Sequence, residues 1–118
     1  MADLVVPELA AAQLTYHLRM AAGFAAAGEV RECASEAALA WTVLSLYGGV
    51  DADAGDLPSL RVAGVSDAQW DSVLRRTQAL ALELQAHFVS EGQYATAAIY
   101  EAVGDAVPGA VVRLRQRS

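Results

Sequence analysis

Two short pairs of residues hold most of the chemistry this chain could perform. Glu83 and His87 are four residues apart, and so are Glu101 and Asp105. At that spacing each pair shares one face of a helix. Folded back on each other across a helical hairpin, the four side chains would stand at comparable heights. Carboxylates and imidazoles drawn from facing helices are what a bundle metal site uses, usually with a Glu-x-x-His motif. That motif is missing here. The first half of the chain offers only His17 and three glutamates, Glu29, Glu32 and Glu36, spaced as a solvated face. The expectation is no metal and no cofactor, with Glu83, His87, Glu101 and Asp105 as the candidate ligands and polar helix surfaces as their ordinary role.

The remaining candidates are weaker. Cys33 is the single cysteine, so no internal disulfide can form. It sits among alanines in "ECASEAALAW" and reads as a buried, inert thiol, with Glu32 and Glu36 raising its pKa. The run "DADAGD" at 51–56 begins like a calcium loop, but Gly55, Asp56 and Val62 stand where an EF-hand needs an acid, a glycine and a glutamate. A solvated acidic loop is expected. No Gly-x-Ser-x-Gly, Cys/His nucleophile motif or glycine-rich phosphate loop occurs. The absence of lysine removes Schiff-base and P-loop chemistry outright. No catalytic residue is identified.

Charge narrows the partners. The chain of 118 residues carries a formal net charge of −6, and residues 1–60 account for all of it. The second half balances six acids with six arginines, three of them in the closing "GAVVRLRQRS". An acidic protein repels nucleic acid, while its acidic half could attract a basic partner. No run approaches the length of a membrane span. "MADLVVPELAA" lacks a basic stretch ahead of its apolar residues, which argues against a secretory leader and for a cytoplasmic protein.

The elements that must position these residues are helices. At 55% hydrophobic and 19% charged the chain has the composition of one folded domain. Apolar residues recur at helical spacing. A first helix is predicted over 8–27, with Tyr16, Met20 and Phe24 as its stripe and Leu14, Leu18 and Ala21 beside it. A second covers 29–47, burying Cys33, Ala37, Trp41 and Leu44. "SDAQ" at 66–69 reads as a capping box opening a third helix through residue 91, striped by Trp70, Leu74, Thr77, Ala81, Leu84 and Phe88. A fourth spans 93–107 and is ended by Pro108-Gly109, with a turn or two possible beyond. The predicted fold is an all-α four-helix bundle. It comprises a hairpin at 8–47, a connector at 48–66 that could cross the bundle, a hairpin at 67–107 and a short C-terminal segment at 108–118.

The halves echo each other. "FAAAG" at 24–28 and "FVSEG" at 88–92 place Phe, three residues and Gly at an offset of 64, and Leu18/Leu82, Ala34/Ala98 and Ala38/Ala102 match at the same offset. Two similar hairpins, each turning at its glycine, follow from this. "GQYATAAIYEAV" resembles the second helix of a tetratricopeptide-type repeat over these 12 residues. That family repeats about every 34 residues, so its peptide-binding function is not carried over to a chain whose period is 64. A Gly turn followed by Ala-rich helices is also similar to small nucleotide-associated bundles of the HEPN type. Their ribonucleases carry Arg, four residues, His; neither His17 nor His87 has Arg five positions earlier.

The function expected from the sequence is a non-enzymatic interaction or assembly domain whose partner is a second copy or another protein; a small-molecule or metal-binding bundle is the alternative. Leu39, Val43 and Leu46 lie off the main stripe of the second helix, and a helix apolar on two faces needs two partners. With Val111, Val112 and Leu114 they form the expected association surface of a homodimer.

Overall fold

The computed structural model describes residues 2–47 and 65–117. They form four helices: α1 (Ala2–Ala26), α2 (Val30–Leu46), α3 (Asp67–Ser90) and α4 (Tyr94–Arg117). α1 packs along α2 and α3 along α4, and the two hairpins close into a bundle through α2, which also meets α4 and α3. Of the predicted connector at 48–66, residues 48–64, which hold the acidic loop and the possible crossover, lie outside the described residues. Val65 just after it packs against the core.

The repeated Phe-x-x-x-Gly phrase is a helix-ending motif used twice. Gly28 and Gly92 have φ of 75° and 74°, the left-handed region that only glycine enters without strain. Glu29 N–H donates to Phe24 O at 2.9 Å and Gly28 N–H to Ala25 O at 3.1 Å. At the second turn Gln93 N–H donates to Phe88 O at 2.8 Å and Gly92 N–H to Val89 O at 3.0 Å. This six-to-one and five-to-two pair is the Schellman arrangement, which satisfies carbonyls the helix end would otherwise orphan. A Cβ at either glycine would meet no atom within 4 Å, so backbone strain alone opposes a side chain. We expect Gly28→Ala and Gly92→Ala each to lower unfolding free energy by about 1–2 kcal/mol, measured by urea titration, with no change in helix content.

Other boundaries follow local chemistry less closely. Ser66 and Gln69 form the expected capping box: Ser66 N–H donates to Gln69 Oε1 at 2.7 Å and Gln69 N–H to Ser66 Oγ at 3.3 Å. α1 begins at Ala2 rather than at residue 8. α4 does not stop at Pro108 but runs through it. A proline inside a helix forfeits one hydrogen bond and crowds the carbonyl four residues back, at about 3 kcal/mol. Here the buried stripe of Val103 and Val107 continues past it through Ala110, Val111 and Leu114. The burial of those side chains holds the last turns in helical register, while Pro108 itself faces solvent.

The core is centred on α2. Residues 33–40 are buried without interruption, followed by Thr42 and Val43. A helix covered on every side in this way has neighbours all round, and α1, α3 and α4 supply them. Leu39, at 0% exposure, therefore belongs to the interior. In α1 the buried stripe is Ala10, Leu14, His17 and Ala21. Tyr16 is half-exposed, so the helix is rotated from the expected Tyr16–Met20–Phe24 stripe. In α3, Trp70, Thr77 and Ala81 are buried as expected. Trp41, Phe24 and Phe88 are only partly buried.

Candidate functional site

The rotation of α1 has a chemical consequence: it carries His17 into the middle of the bundle. His17 is completely buried between Leu14 and Ala21 on the stripe that faces α2 and α4. Its Nδ1 lies 2.8 Å from Glu36 Oε2 on α2, and its Nε2 lies 2.7 Å from Tyr100 Oη on α4. Tyr100 Oη in turn donates to Gln13 Oε1, one turn back on α1, at 2.6 Å. Glu36 is 7% exposed and Tyr100 1%. Glu36 is thus corrected from a surface glutamate to the buried carboxylate of a four-residue polar cluster spanning three helices.

A phenol has one proton, and Tyr100 commits it to Gln13. His17 Nε2 meets the same phenol oxygen, as donor or acceptor according to the tautomer of the ring. A further proton has to lie between His17 Nδ1 and Glu36 Oε2, because an imidazole lone pair facing a carboxylate would repel it. Removal from water pushes the Tyr100 phenol well above its usual range, with the negative charge of Glu36 and then Tyr16 adding to the effect. The ring of Tyr100 stacks on Phe88 with centroids 5.6 Å apart. His17 meets Tyr100 and Tyr16 edge-on at 5.7 Å and 5.2 Å.

A carboxylate orienting an imidazole against a hydroxyl is also the layout of an acid–base relay. Such a relay needs a reacting atom within reach. Here the hydrogen-bonding atoms of His17 and the Tyr100 hydroxyl are occupied by one another, by Glu36 and by Gln13, inside the bundle. What the cluster does is bind α1, α2 and α4 together through directional, mutually satisfied bonds.

The internal echo reaches this cluster. Glu36 and Tyr100 are equivalent positions at the offset of 64, and both bond to His17; the equivalent of His17 is Ala81. The histidine thus breaks the likeness of the halves. At Ala81 the small side chain lets α4 come close, and a Cβ added at Gly104 would stand 3.6 Å from that of Ala81. Sequence spacing alone suggested the Glu29–Glu32–Glu36 face. The signals that pointed inward were the register of His17 with Leu14 and Ala21 and the apolar flanks of Glu36.

The expected metal candidates are not gathered. Glu83 and His87 are exposed on α3, and Glu101 and Asp105 are exposed on α4. Among the described residues no three His, Cys, Asp or Glu side chains are placed to hold a metal ion. Glu101 and Asp105 do line a groove of about 450 Å³ between α3 and α4, together with Gln78, Leu82, Gln85, Gly104 and Tyr100, whose own exposure is 1%. Cys33 is buried, and desolvation raises its thiol pKa; Glu36, one of the acids expected to raise it, is turned to His17 instead. We expect Cys33 to react with a disulfide reagent only slowly in the native protein and at once in denaturant; rapid native labelling would contradict its placement.

Of the expected association residues, Leu39, Val43, Val111 and Leu114 are in the core, while Leu46 and Val112 are exposed at 42% and 51%. α2 finds the two partners its apolar faces require within its own chain. No family model matches the chain, and no curated protein or solved structure is detectably similar to it. Among the described residues no helix is long and apolar enough to cross a membrane.

Proposed function

We propose that this protein is a non-enzymatic assembly domain that acts as a homodimer. The observation that carries this reading is where its polar chemistry and its apolar surface lie. The histidine, glutamate and tyrosine that could form a reactive centre are spent on each other inside the bundle. Large apolar side chains are turned outward instead: Tyr94 at 68% exposure, Leu82 at 65% and Val112 at 51%. Exposed apolar groups on a small rigid bundle favour association, and two-fold pairing is the commonest closed form. The expected surface moves from α2, which is interior, to the outer helices.

Sedimentation equilibrium at micromolar concentration tests this reading. The expected species has twice the 12.4 kDa chain mass. A single 12.4 kDa species throughout the concentration range would remove the homodimer.

A further inference from the structure

The outward face of α4 is a stripe of Tyr94, Ala98, Glu101, Asp105, Gly109, Val112 and Gln116, recurring every three or four residues and exposed throughout. Its charges are split along the helix. Residues 94–105 contain Glu101 and Asp105 and no arginine, while residues 106–117 contain Arg113, Arg115 and Arg117 and no acid. Among the described residues Glu101, Asp105 and Arg113 make no ion pair. Within one helix the two groups are too far apart to neutralise each other, because side-chain pairs form only three or four residues apart.

Resting on the homodimer reading, we propose that two copies pair through α4, antiparallel, about a two-fold axis at Gly109. Only that direction brings each acidic half against an arginine half; parallel pairing would set like charges together. Centred on Gly109, Asp105 stands level with the partner's Arg113. Gly109 has no side chain to hold the helices apart, and the nearest side-chain atom to a Cβ placed there is Arg113 Nη1 at 4.0 Å. The same centring carries the partner's Val112 toward the lip of the α3–α4 groove. There Leu82 is exposed beside Glu101, Gly104 and Asp105. Apolar contact of Val112 with Leu82 supplies a water-excluding centre, and the flanking charges set direction and register. Two-fold symmetry makes every contact occur twice.

Charge swapping tests the surface separately from the existence of a dimer. One variant carries Glu101→Arg and Asp105→Arg, so that α4 is basic throughout. A second carries Arg113→Glu, Arg115→Glu and Arg117→Glu, so that α4 is acidic throughout. Circular dichroism and thermal melting confirm that each retains its fold. Sedimentation of each alone is expected to give monomer, with association weakened at least about tenfold. An equimolar mixture of the two is expected to restore a dimer. Raising the salt concentration should weaken the wild-type dimer, a measurement that needs no variant. A wild-type dimer that is insensitive to salt, or variants that still self-associate, would overturn the α4 pairing and leave the homodimer standing. Monomeric variants that fail to associate when mixed would overturn the antiparallel arrangement. A monomeric wild-type protein would overturn the homodimer itself.

Discussion

Glu36→Leu is expected to lower the unfolding free energy by about 3–5 kcal/mol. The carboxylate accepts from His17 at 2.8 Å in a site where the imidazole has no exposure to water. Removing it leaves Nδ1 facing hydrocarbon, and the desolvation already suffered by the imidazole is no longer offset. Leucine fills nearly the same space, so the loss comes from the orphaned partner rather than from a cavity. The companion experiment is the double substitution His17→Leu with Glu36→Leu. Replacing both members of a buried pair by apolar side chains of similar volume is often neutral or stabilising, so the double variant is expected to recover most of the loss. Guanidinium titrations of the wild type, both single variants and the double variant close the cycle. A Glu36→Leu protein as stable as wild type would mean that His17 and Glu36 do not meet.

Tyr100→Ala is expected to cost about 3–5 kcal/mol, the range for truncating a buried aromatic. Its ring fills the space between His17 and Phe88, and its hydroxyl links His17 to Gln13. Tyr100→Phe keeps the ring and removes only the hydroxyl, leaving His17 Nε2 without its partner. About 1–3 kcal/mol is expected for that change. The same pair of proteins carries a pH signature. The phenol of folded Tyr100 is shifted upward by burial, so the folded state favours the neutral form. Its contribution is complete below the ordinary tyrosine pKa of about 10 and is lost as pH rises beyond it. Wild-type stability should therefore fall more steeply above about pH 10 than that of Tyr100→Phe. Parallel curves would show that Tyr100 is not held in a dry site.

The elements of this protein were legible in its residues because they depend on short-range chemistry. Four apolar stripes at helical spacing become four helices. Ser66 and Gln69 cap α3 as their spacing predicts, and Phe-x-x-x-Gly ends a helix in both halves because left-handed backbone suits glycine alone. The candidate site was not legible to the same degree. His17 and Glu36 are polar residues near the edges of apolar stripes, and a small rotation of either helix decides between water and core. That rotation is set by packing α1 and α4 onto α2 and against each other, and each polar residue is acceptable inside only because the other is there to meet it. The same packing moved Leu39 and Val43 from an expected surface to the interior and carried α4 through Pro108. Local sequence determined which segments are helices; the tertiary structure decided which face of each is inside, because burial and hydrogen-bond pairing are satisfied only by several helices at once.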